Sequence, residues 1–350
     1  MIHYVVTERF SRTIATFLRN TGRDLAGTLR LLTYEELFFE RAGPIGHYVF
    51  TDFDRLSRYE LDTVARFATG LQDKVPDARI LNHPGKALER MALLVALRRA
   101  GINDFTATRL DTGERPPHFP VFIRAEDGHD GPETELVDEA DFDRSLAELR
   151  ARGIPLRGRI AIGFAAEKGA NGRFRKFGAF NIGGTVIPQH LIQSDGWAIK
   201  RRVPGDTTPT AIDTSAESVD EELEYIRSNP HRDAILRAFN AGSIECGRAD
   251  YGVVDGKVQI YEINTNPEFP RFEIHDHRSE CRSILRGPLI DAFRAIDTPI
   301  GSTGSLRLSE TRPRSHNLHL PRFRLPISIL RRLGRKVSSG RRQPDSNQPR

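Results

Sequence analysis

The sequence predicts an α/β (α+β) protein of 350 residues, with a small N-terminal α/β domain, a larger body of longer strands and helices, and a basic C-terminal extension. Three observations carry this prediction. Short strand-like runs alternate with helical spacing up to about residue 79, longer strands with polar loops dominate from about Asp111, and Ser, Arg, Pro and Gly take over beyond Gly301.

Length and 38% hydrophobic content suit two or three domains with cores of their own. No run approaches the roughly 18 consecutive apolar residues of a membrane helix. Met1 to Phe10 lacks the apolar core of a signal peptide, so a cytoplasmic location is expected. Cys246 and Cys281 are too few for a disulfide framework or a Cys-rich zinc site. The net charge of +5 divides unevenly: residues 301–350 hold 12 Lys and Arg against 2 Asp and Glu, leaving 40 against 45 for the rest. A folded body that is mildly acidic argues against a nucleic-acid partner.

In order along the chain, His3 to Glu8 and His47 to Thr51 read as strands, and Arg58 to Gly70 as a helix through Leu61, Val64, Ala65 and Phe67. Ile80 to Gly85 is a strand end with turn residues, and the helix after it, carrying Leu88, Met91 and Leu94, stops at Gly101. Pro120 to Arg124 is a strand, Ala125 to Thr134 a loop with two glycines, and Asp141 to Arg152 an amphipathic helix. Strands follow at Arg159 to Phe164, Phe174 to Asn181 and Thr185 to Leu191. Asp220 to Ala241 is helical with a break near Asn229-Pro230. Ser243 to Val254 and Val258 to Asn264 are strands joined at Asp255-Gly256, a hairpin signal, and a helix from about His277 to Ile296 closes the body. From Gly301 the chain is expected to be a disordered basic tail, a solvated low-complexity extension whose apolar interlude at Leu325 to Leu333 offers a basic amphipathic segment for an anionic surface or a partner as the alternative.

The last hairpin carries the chemistry. Glu262 and Asn264 are two apart on a strand and share a face. A two-residue Asp255-Gly256 loop would pair Asp250 with Tyr261 and send it to the other face. A three-residue loop from Val254 to Gly256, or an equivalent bulge, would bring Arg248, Asp250, Glu262 and Asn264 together. Two carboxylates and a carboxamide oxygen on one face repel unless a cation lies among them, and an all-oxygen set suits magnesium.

Arg248-Ala-Asp-Tyr-Gly252, the turn before Lys257 and Glu262-Ile-Asn-Thr-Asn-Pro267 resemble the metal-binding hairpin of ATP-grasp enzymes such as D-alanine:D-alanine ligase and glutathione synthetase. The resemblance implies an ATP-grasp fold over residues 80–300, a preceding α/β domain over 1–79 and the basic tail over 301–350. It implies ATP with Mg2+, or Mn2+, as cofactors, the metal held by Asp250, Glu262 and Asn264 and a phosphate met by Arg248.

Other parts follow the family's order. Phe119-Pro-Val-Phe-Ile-Arg124 resembles the strand that normally ends in lysine, and Glu126-Asp-Gly-His-Asp-Gly-Pro132 resembles the phosphate loop, with Gly128 and Gly131 offering backbone N–H groups. Arg90 stands where a second lysine is common, so arginine replaces lysine twice. Ile160 to Glu167 occupies the hinge, with Gly163 where glutamate is common and Glu167 left as the ribose or adenine contact. Arg175 or Lys176 would reach the α-phosphate, and His190 reads as structural.

By that resemblance the protein is an ATP-dependent carboxylate-amine or carboxylate-thiol ligase working through an acyl phosphate on small carboxylate and amine substrates. An ATP-grasp phosphotransferase and a nucleotide-binding module without turnover are the rival readings, and a homodimer is allowed for. A dehydrogenase is disfavoured because no Gly-x-Gly-x-x-Gly follows an early strand.

Overall fold

The computed structural model describes residues 1–127, 131–199 and 211–309. Ile2–Val6 (β1) is buried at every position, the signature of a parallel strand covered on both faces. After Arg12–Arg19 (α1), Leu29–Thr33 (β2) pairs parallel with β1. Tyr34–Glu40 (α2) follows through a capping box in which Thr33 and Glu36 satisfy each other's backbone N–H groups. Ala42–Pro44 (β3) and His47–Phe50 (β4) come next, and β4 flanks the other side of β1. Arg58–Lys74 (α3) opens with the same box at Ser57 and Glu60, and Ile80–Leu81 (β5) completes a parallel sheet of order β2-β1-β4-β5.

Asn82 joins this domain to the body. It is fully buried, with φ of 55°. Its Nδ2 donates to the carbonyls of Phe50 (2.9 Å) and Cys246 (2.6 Å), while its Oδ1 accepts from the N–H groups of Glu245 and Cys246 (2.8 Å each). The turn after β5 thus clamps the first sheet to the start of the last hairpin.

The body continues through Arg90–Arg99 (α4), Ala107–Arg109 (β6), Val121–Ala125 (β7), Phe142–Ala151 (α5) and Arg159–Gly163 (β8), the three strands forming a small antiparallel sheet of order β6-β8-β7. Phe174–Ile182 (β9) and Thr185–Ser194 (β10) then open a larger antiparallel sheet of order β10-β9-β11-β12. Ala216–Ser228 (α6) ends at Asn229, whose φ of 46° breaks the helix where Pro230 forbids continuation, and Arg232–Ala241 (α7) resumes it. Cys246–Val254 (β11), Lys257–Asn264 (β12) and Ser279–Arg294 (α8) complete the body. One core runs from Ile2 and Tyr4 through Phe180, Phe239 and Phe293, so domain and body share apolar packing.

The expectation of a disordered tail from Gly301 needs correction over its first residues. Ser305–Arg307 (β13) pairs antiparallel with β3, and Leu308 is buried in the N-terminal domain's second core. Leu306 and Leu308 alternate with Arg307, the period of a half-buried strand. The interlude Leu325 to Leu333 lies outside the described residues. Among the described residues no helix is long and apolar enough to cross a membrane.

Candidate active site

The last hairpin turns through two residues, Asp255 (φ 49°) and Gly256 (φ 74°). Val254 pairs with Lys257, and the register runs unbroken to Tyr251 opposite Ile260. Continued without interruption, it would place Asp250 opposite Tyr261. Instead Tyr261 is an extra residue, so that Asp250 faces Glu262 and Arg248 faces Asn264. The convergence that a three-residue turn would have supplied therefore comes from a bulge. Tyr261 turns into the cavity and donates from its hydroxyl to the Ala165 carbonyl at 3.0 Å. A Cβ on Gly252 would stand 2.1 Å from that hydroxyl, which explains the glycine in the Arg248 to Gly252 motif.

A row crosses all four strands: His190, Gly178, Asp250 and Glu262 are successive partners. Gly178 leaves the space that the His190 ring fills, for a Cβ there would lie 2.5 Å from it. Asp250 is buried, receiving Lys176 Nζ at 2.9 Å and Arg248 Nε at 2.9 Å. Burial alone would push its carboxyl up. Arg248, Lys176 and His190 outweigh that and hold it well below the usual carboxylate range.

Two arginines from other elements meet Glu262. Arg90, the first residue of α4, places Nη2 at 3.1 Å from Glu262 and donates from Nη1 to the Glu126 carbonyl at 2.7 Å; Arg124 on β7 approaches Glu262 to 3.7 Å. Burial raises the Glu262 pKa, but Arg90 and Arg124 bring it below its ordinary value. In this cluster cations outnumber carboxylates two to one, so it is electrostatically prepared for a polyanion.

The cluster opens into a cavity of about 590 Å³, in the range of small-molecule sites. Phe105, Phe122, Phe164, Phe174 and Trp197 supply apolar wall, and Arg124, Lys176, Arg248, Asp250, Glu262 and Asn264 the charged and polar wall. Gly131 and Gly163 also border it, whereas Gly128 lies outside the described residues. Arg90 borders an adjoining smaller pocket that shares Glu262 and Asn264. Glu167 borders neither. Its carboxylate accepts the Asp255 N–H at 3.1 Å, holding the hairpin turn. Sequence reasoning missed Asn266, which borders both spaces, and the contributions of Phe10, Thr13 and Arg55 from the N-terminal domain. Asn266 lies inside the Glu262 to Pro267 motif, where it was given no role; the other three carry no local signal.

Among the described residues no group of three or more His, Cys, Asp or Glu side chains comes together as a metal site. The set expected here is two carboxylates and a carboxamide, and its chemistry fits a hard cation: Asp250 and Glu262 are neighbours and both are held ionised. The Asn264 Oδ1 accepts the Asn266 N–H at 2.9 Å and retains a second lone pair.

No protein-family model and no curated protein matches the sequence. Solved structures do. The ATP-grasp ligase PsnB, with a phosphomimetic variant of its minimal precursor, Mg and ADP, is similar over 85% of this chain and 98% of its own, at 12% identity and a TM-score of 0.52. D-alanine–D-alanine ligase from Bacillus anthracis complexed with ATP matches over 85% and 97%, at 13% identity and 0.47. VanG D-Ala:D-Ser ligase from Enterococcus faecalis matches over 85% and 99%, at 10% identity and 0.48. At such identities a likeness speaks of fold, and with the PsnB superposition the chain is seen to carry the ATP-grasp fold.

Proposed function

We propose that this protein is an ATP-dependent ligase that joins a carboxylate to an amine or thiol through an acyl phosphate. The observation that carries the reading is the cavity itself, an aromatic wall beside a cation-rich cluster on a bulged acidic hairpin. A base stacks on the first and a triphosphate meets the second. A solved relative of the same fold holds Mg and ADP, which supports the choice of ligand.

In the proposed reaction a substrate carboxylate oxygen attacks the γ-phosphorus, the bond to the β-phosphate oxygen breaks, and ADP leaves. The amine nitrogen then attacks the acyl carbon, phosphate departs with its bonding pair, and the nitrogen releases a proton to solvent. Arg124, Lys176 and Arg248 bind and orient the phosphates, while Arg90 and Arg124 keep Glu262 ionised. Asp250, Glu262 and Asn264 would hold Mg2+ or Mn2+, which when bound neutralises phosphate charge. Arginine at both expected lysine positions supplies a planar fork to phosphate, so charge is kept.

The test is magnesium-dependent ADP release by the full chain and by Glu262→Ala. Release that is unaffected by the substitution would sink the assigned site. A phosphorylated product without a new amide or thioester, found by mass, would replace the ligase with a phosphotransferase.

A further inference from the structure

The cavity has a second cationic position that the nucleotide reading does not use. We propose that Arg55 receives a free carboxylate of the substrate entering from the N-terminal domain, a group distinct from the carboxylate that is activated. This deepens the ligase reading and rests on it for the word substrate.

Arg55 follows β4 in the short turn Phe53–Arg55, and two contacts orient its guanidinium. Nε donates to Asp52, a residue only 1% exposed that also accepts from the Thr7 hydroxyl. One face lies 3.6 Å from the centre of the Phe10 ring. The Asp52 N–H bonds to Thr265 Oγ1 at 3.1 Å, and the Thr13 hydroxyl donates to Asn266 Oδ1 at 3.2 Å. The arginine is thereby tied to the Asn264 to Asn266 segment of the site.

With Nε satisfied, Nη1 and Nη2 have no acceptor among the described residues, and Arg55 and Phe10 both form cavity wall. Two outward N–H groups on a fixed planar fork match the two oxygens of a carboxylate, and fixing the fork in advance lowers the entropy lost on binding. A single guanidinium already facing one buried carboxylate suits a monoanion. Glu268, on the same wall, disfavours the greater charge of a phosphate. Lys176 and Arg248, by contrast, are engaged with Asp250.

The test is phenylglyoxal modification of the full-length protein, read arginine by arginine by peptide mass mapping. The probes are N-acetylglycine and N-acetylglycinamide, which differ only in the carboxylate, with Mg·AMPPNP as a separate addition. Arg55 is expected to react, to be slowed about tenfold by saturating N-acetylglycine, equivalent to about 1.4 kcal/mol, and to be untouched by the amide. Equal rates with acid and amide, or an Arg55 that never reacts, would overturn the proposal. Mg·AMPPNP is expected to protect Arg124 and Arg248. Failure of that protection alone would bring down the nucleotide reading and leave the carboxylate receptor standing.

Discussion

Tyr261 and Gly252 approach across the last hairpin so closely that a methyl group on the glycine would lie 2.1 Å from the tyrosine oxygen and 2.9 Å from its ring carbon. The bulge that aligns Asp250 with Glu262 therefore depends on a missing side chain on the facing strand. Gly252→Ala is expected to cost about 1–3 kcal/mol in urea denaturation, as overpacking does. Adding Tyr261→Ala should recover part of that loss, giving a coupling that two independent sites would lack. Additive effects would show that the contact does not shape the hairpin.

Asp250→Asn keeps the volume of the side chain and removes the carboxylate that pairs with Lys176 and Arg248. Magnesium-dependent ADP release is expected to fall about 100- to 1,000-fold, the scale for losing an electrostatic group at a phosphoryl-transfer site. The variant should remain folded by circular dichroism. Release within a few fold of the parent would remove Asp250 from the chemistry.

Both site carboxylates have depressed pKa values in the folded state, so each binds its proton less readily there than in the unfolded chain. Their contribution to stability is complete above the ordinary carboxylate range near about 4 and is lost as pH falls through the lower folded values. Arg124→Gln removes one cation facing Glu262 and raises that pKa, which shrinks the gap between the two states. Melting temperature followed from pH 7 downward should then show the variant with a smaller loss attributable to this group on acidification, from a lower starting stability. A parallel displacement of the two curves at every pH would count against the linkage.

Asn82→Ala deletes four hydrogen bonds that join β4 to the start of β11 and leaves buried backbone groups without partners. A loss of about 2–4 kcal/mol in chemical denaturation is expected, with domain and body still unfolding together because they share one core. Asn82→Gly relieves the positive φ without restoring the bonds and should recover little.

Much of the fold was legible because its signals are local. Asp255-Gly256 specifies its own turn through two left-handed residues, Asn229-Pro230 breaks its own helix, and the two-residue period places Glu262 and Asn264 on one face wherever that strand lies. The strap formed by Ser305–Arg307 was not legible, since its alternation is too short to separate from the irregular composition around it and its partner, Ala42–Pro44, lies more than 250 residues earlier.

The sequence alone determined which residue types stand on the last hairpin and that they are oxygen donors beside a cation. Tertiary structure decided which of them meet. The bulge at Tyr261 arises from space above Gly252 and a bond to Ala165; the counterions of Glu262 arrive from α4 and β7; Glu167 serves the turn instead of bordering the cavity; and Arg55 is aimed by Asp52 and Phe10. Each of these depends on packing between segments distant in sequence, and hydrophobic burial brings such segments together without regard to chain position.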